Sequence, residues 1–159
     1  MSETLLERNV KHHYLENNYN CAETMIQACN DTFKLDLPAF AYRMLSGFGS
    51  GLYTGNVCGA LVGCTSALSL MMVETRAHDT EYLPYAQRLL VRNFRNLLGE
   101  TQCARLKVVH HTKEQRCLPT CLLAAQAMTQ TVNQLQQEGL LKQEYDFSKW
   151  MTDEQAKSE

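Results

Sequence analysis

No two of the seven cysteines in this chain stand in a Cys-x-x-Cys arrangement, which disfavours a thioredoxin-type motif and a ribbon zinc site. Basic runs are also missing. With 20% charged residues and a formal net charge of −2, a general nucleic-acid footprint is not expected. The glycine-rich stretch lacks Gly-Lys-Ser/Thr and follows no strand-like run, so neither a P-loop nor a dinucleotide fingerprint is supported. The opening segment MSETLLERNVKHHYLENN has no apolar signal-peptide core. The apolar stretch over residues 57–73, which carries no charge, is short for a spanning helix and rich in Gly, Ser, Thr and Cys. These absences lead to the expectation of a soluble cytoplasmic protein with no membrane and no nucleic-acid partner. There is no internal repeat, no low-complexity segment and no convincing strand.

What is present is cysteine, glycine and helical periodicity. A chain of 159 residues suits one domain with a real core. Seven cysteines in a cytoplasmic chain read as thiols, metal ligands or redox groups rather than a disulfide framework, and the odd count agrees. The organising stretch is residues 46–73. Four of the eight glycines (Gly47, Gly49, Gly51, Gly55) fall within nine positions at its start and feed an uncharged segment carrying Cys58 and Cys64.

The fold class expected is all-α, a single compact domain of five or six helices around a central glycine-led helix, over residues 1–144. Residues 145–159 form a polar tail, anchored at Phe147 or Trp150. Apolar spacing predicts helices over residues 3–14, 79–98 and 114–138, with Gly99 and Gly139 as stops. Asn20 and Glu23 have capping-box spacing and open a second helix, and Pro38 is placed to start a short one through Leu45. The central helix runs over residues 57–74, and Gly59, Gly63 and Ala67 form a small-residue strip that lets a neighbour approach.

Cys21, Cys58 and Cys117 each fall at a predicted helix N-terminus, where backbone N–H groups and the positive end of the dipole favour thiolate. Cys103 lies ahead of the final helix. Where four such ends meet they form a thiol-rich pocket, able to hold an iron–sulfur cluster from dispersed thiolates. Cys64 lies about 120° around its helix from Cys58, and Cys29 is two turns from Cys21; both read as packing residues.

The chain resembles the C-GCAxxG-C-C redox-active family. The match rests on Tyr19-Asn20-Cys21, on Cys58-Gly59-Ala60-Leu61-Val62-Gly63, on Gly99-x-x-x-Cys103-x-x-Leu106, and on Cys117 or Cys121 followed by Ala124-Ala125. The family name writes Gly-Cys-Ala where this chain reads Cys-Gly-Ala. The resemblance implies a redox role over residues 6–128. Cys21, Cys58, Cys103 and Cys117, with Cys121 as alternative to Cys117, either ligate an iron–sulfur cluster or cycle between thiols and disulfides. A related domain occurs in split-Soret cytochromes, but this chain has no Cys-x-x-Cys-His, so covalent haem is not expected.

Three other readings accompany the cluster. In a metal-free thiol–disulfide protein Cys58 and Cys21 would be the catalytic thiols, Cys58 attacking. A zinc-binding module would use Cys103, His110, Cys117 and Cys121. The fourth is a helical interaction domain with passive cysteines. A redox partner protein and a homodimer complete the expectation. His12-His13 reads as a solvated helix face, and Tyr82, Tyr85, Phe94 and Met71-Met72 as core or helix interface. Arg43, Arg76, Arg105 and Lys107 are candidates to raise the potential near a thiolate centre, unplaced by sequence.

Overall fold

Two polar residues set the first helix of the computed structural model, which describes residues 3–141 and 143. Thr4 caps the amide of Glu7, and the Glu7 carboxylate accepts from the Thr4 N–H, a capping box that starts α1 (Leu5–Lys11). A π-helical turn, His12–Glu16, continues it. The same device, Asn20 with Glu23, starts α2 (Cys21–Phe33), which ends on Lys34 in the left-handed region. The expected helix from Pro38 is not formed. The Pro38 carbonyl accepts from the Ala41 N–H in a tight turn, and Ala41–Phe48 is a 3-10 segment. Only Ala41 and Leu45 of it are buried, so packing gives little support to a full α-helix.

The glycine-rich loop then makes a π turn, Gly51–Gly55, before α3 (Gly59–Met72). This helix packs against α2, against α4 (Leu83–Leu98) and against α6 (Leu118–Gln137). Being covered on several sides, it carries no charge at all, and Ala60, Cys64, Ala67 and Leu68 have no exposed surface. A Cβ on Gly63 would lie 2.6 Å from the Met25 Cβ and 2.9 Å from the Ala22 carbonyl oxygen, so the small-residue strip does bring α2 close. α4 begins with Pro84 in its first turn and ends at Gly99 with φ 89°, and Gly139 follows α6 with φ 72°.

One helix was not expected. α5 (Cys103–His110) buries only Cys103 and Leu106, while Val108 and Val109 are exposed, so its sequence shows no apolar stripe. Within the expected 114–138 span the final helix starts at Leu118, as Cys117 at a helix N-terminus requires, because residues 112–116 close a tight bridge with Arg116 at φ 55°. Among the described residues the architecture is all-α, a compact single core with two isolated bridges and no strand. Phe94 is fully buried as expected, but Tyr82 and Tyr85 lie outside the core, and the Tyr85 hydroxyl donates to Glu138 at 2.8 Å. His13 also departs from expectation. It is buried, with Nε2 2.6 Å from Asp31 and its ring stacked on Tyr19, whereas His12 is exposed. The tail with Phe147 and Trp150 lies outside the described residues.

Candidate functional site

Four helices start at one place. Cys21 is the first residue of α2 and Cys103 the first of α5, while Cys58 and Cys117 are the N-cap residues of α3 and α6. All four side chains line a single cavity of about 290 Å³. Cys121, one turn further along α6, is wholly buried and does not line it. Cys64 and Cys29 lie deeper still, wholly buried, with the Cys64 sulfur 3.8 Å from the Ala124 carbonyl oxygen.

Local devices aim each cysteine. The Asn20 amide donates to the Ser46 carbonyl at 2.9 Å, and the Ser46 hydroxyl donates to Glu23 at 2.9 Å, which ties the start of α2 to the loop before the glycines. Replacing Asn20 by Ala removes both the cap and this tie. The expected cost is about 1–2 kcal/mol, read as a lower urea midpoint; an unchanged midpoint would show that the tie is idle. Cys58 and Cys103 are held by an antiparallel bridge between Val57 and Gln102. The Cys58 N–H donates to Thr101 at 2.8 Å and the Cys103 N–H to Asn56 at 2.7 Å. The Cys117 N–H donates to the buried Tyr14 hydroxyl at 3.0 Å.

Glycine makes room around the sulfurs. A Cβ on Gly59 would lie 2.6 Å from the Cys21 sulfur and 2.7 Å from the Phe48 carbonyl oxygen. Gly51, at φ 63°, leaves the space that a Cβ would take 2.7 Å from the Cys103 Cβ. On either side of Gly51, Ser50, Leu52 and Tyr53 hold φ of 50°, 62° and 55°, left-handed values for non-glycine residues that carry strain. The backbone amide of Ser50 faces the Cys21 sulfur and favours its thiolate, though less than burial opposes it.

Cys21, Cys58 and Cys117 are not activated, contrary to the expectation from their helix ends. Burial, then the neighbouring Cys21 thiol, push Cys58 from its ordinary 9.0 up to about 12, against the amides of Leu61 and Ala60. That rise corresponds to roughly 4 kcal/mol, while a helix terminus supplies at most about 2 kcal/mol. Burial wins. Cys21 and Cys117 are raised by burial first and by thiol neighbours, Cys103 for the former and Cys21 for the latter, and Cys121 is raised likewise.

The remaining candidates separate cleanly. His110 does not face the cavity: its Nε2 lies 3.1 Å from the Leu98 carbonyl, whereas His111 lines the cavity wall. Arg105 pairs with Glu100 and Arg76 with Asp79, and Arg43 lies over Phe40. Lys107 reaches the cavity, joined by Arg116, Tyr14 and Tyr19, which sequence reasoning did not place there. For Arg116 a signal existed, since it directly precedes Cys117. Among the described residues, no three His, Cys, Asp or Glu side chains stand where one metal ion would bind them together.

Neither curated proteins nor solved structures gave a match. The family model described as "Putative redox-active protein (C_GCAxxG_C_C)" matches residues 19–135, a span that contains all four cavity cysteines and the Cys58-Gly59-Ala60 core. The chain belongs to this family of redox-active proteins.

Proposed function

We propose that this chain is an electron-transfer protein in which Cys21, Cys58, Cys103 and Cys117 hold an iron–sulfur cluster. The observation that carries the reading is the meeting of four cysteines, each from a different helix start, around one cavity. The donor set suits the group, because thiolates brought together in space are all that such clusters require of a protein. The four thiols line a space of about 290 Å³, room for a polynuclear group. Mutual repulsion also speaks for a cation centre, since each thiolate disfavours its neighbours until positive charge lies between them. A cluster bound there would supply one-electron exchange. The protein's own part is to keep water from the sulfurs by burial and to offer Ser50, Ala60 and Leu61 amides toward Cys21 and Cys58. A redox partner protein, a homodimer and a cytoplasmic setting belong to the same proposal. Among the described residues no helix is long and apolar enough to cross a membrane.

A thiol–disulfide cycle is the second reading. It is weakened at Cys58 and Cys21, which are buried and held protonated; Cys117 is the half-exposed thiol and the better attacking group. Anaerobic purification with iron and sulfide analysis separates the readings. Iron and acid-labile sulfide in the isolated protein, with at least a tenfold loss of iron in Cys58→Ser, are the expected result. A colourless protein with neither, even after anaerobic reconstitution, would remove the cluster. Zinc without sulfide would instead favour a single-ion site.

A further inference from the structure

The thiol cavity is lined by two cations, Lys107 and Arg116, with no acid among its residues. The chain carries 17 acidic and 15 basic residues, yet no Asp or Glu lines this cavity, while Lys107, Arg116 and His111 do. Glu114, in the same loop as Arg116, is exposed and does not line it. Elsewhere three of the described basic side chains sit against carboxylates: Lys11 with Glu3 at 2.6 Å, Arg76 with Asp79 at 3.2 Å, Arg105 with Glu100 at 3.3 Å. Among the described residues neither Lys107 nor Arg116 has such a partner. Their charges are left to the cavity.

Arg116 is held in place for this. Its backbone is fixed by a reciprocal pair of hydrogen bonds with Thr112, at 2.7 and 3.2 Å, and its left-handed φ of 55° turns it out of line with the helix that follows. Its guanidinium lies 5.0 Å from the centroid of the Tyr14 ring, and the Tyr14 hydroxyl in turn accepts from Cys117. A guanidinium seated on a ring face keeps its N–H fork free for oxygen acceptors. Lys107 projects from α5, the helix that begins with Cys103.

We propose that this rim is a receiving site for a small anion bearing carboxylate or inorganic oxyanion oxygens, which Arg116 and Lys107 draw to the half-exposed Cys117 side of the thiol cavity. The inference deepens the redox reading by naming the charge class of what approaches the site, and it rests on that reading for its purpose. It excludes cationic reactants by the same field.

The test uses two alkylating probes with the same leaving group, anionic iodoacetate and neutral iodoacetamide, on the reduced full-length protein at low salt. Peptide mass spectrometry follows Cys117. The iodoacetate-to-iodoacetamide rate ratio is expected to exceed that of a free cysteine peptide by about fivefold to tenfold. It should return toward the peptide value in Lys107→Met/Arg116→Gln and in 1 M salt. Both positions are exposed, and unchanged circular dichroism would show that the variant folds. Phosphate and succinate, added singly as competitors of iodoacetate, tell an inorganic oxyanion from a carboxylate ligand. A wild-type ratio equal to the peptide's, a ratio unmoved in the double variant, or no competition by either anion would overturn the proposal. A protein that holds iron but shows no charge preference fails this inference alone. One that prefers the anion but has neither a cluster nor a reversible disulfide fails only the redox reading.

Discussion

Gly59→Ala is expected to lower stability by about 2 kcal/mol or more and to disturb the thiol site, although alanine is the better helix former. The helical gain from Gly to Ala is about 1 kcal/mol. Against it stand two contacts that cannot give way cheaply: the Cys21 sulfur at 2.6 Å, on a short side chain at a capped helix start, and the Phe48 carbonyl oxygen at 2.7 Å. Forcing an extra methyl into such packing costs about 1–3 kcal/mol, and more where backbone must move. Gly63→Ala meets Met25 and the Ala22 carbonyl instead and touches no cavity thiol, so it should destabilise without altering the site. Gly47 has nothing within 4 Å of the added atom, and Gly47→Ala should leave stability unchanged or slightly raised. Urea midpoints order the three variants, and iron content or Cys21 alkylation tells Gly59 from Gly63. Equal effects on the site from both would mean that the loss comes from helix separation and not from the sulfur contact.

Alkaline pH is expected to unfold the reduced, metal-free chain through its buried thiols. At pH 8 the Cys58 thiol is mostly neutral in the folded and the unfolded chain, so its contribution is present in full. Above the unfolded value near 9.0 only the unfolded chain ionises, because the folded site holds its proton until about 12. Stability therefore falls as pH rises across that window, by up to roughly 4 kcal/mol from this residue. The buried thiol of Cys121 and the buried Tyr14 hydroxyl act in the same direction. Denaturant midpoints at pH 8 and 10.5 under strict anaerobiosis measure the slope, and Cys58→Ser should flatten it. A variant with the wild-type slope would mean that Cys58 is not held protonated. In the loaded protein the dependence should reverse toward acid, where protons compete with metal for the sulfurs.

The parts of this fold that can be read from sequence are those where one residue type has one local task. Asn20 with Glu23, the left-handed stops at Gly99 and Gly139, and the uncharged run of α3 follow from capping, φ and burial alone. Three of the four cavity cysteines, Cys21, Cys58 and Cys117, were legible because each sits where an expected helix begins; Cys103 was named from the family motif instead. What was not legible depends on the surroundings. α5 is held by the bridge to residue 57 and by two buried side chains, so its exposed valines hide it from any periodicity. Helix position alone gives the wrong sign for the thiol pKa values, because it says nothing of how deeply the sulfurs sit or how near they lie to one another. His13 looked solvated because its partner Asp31 comes from another helix.

The four cavity cysteines never share a helix, and that has a consequence for how the protein is made. No stretch shorter than the span from Cys21 to Cys117 carries the set, in contrast to sites whose ligands arrive as neighbouring pairs. During synthesis the centre is incomplete until the start of α6 has left the ribosome, so insertion of any bound group follows folding of the other three helix starts. Loss of one helix, by truncation or by a proteolytic cut in the 112–116 loop, would break up the whole set of cavity thiols rather than a quarter of it.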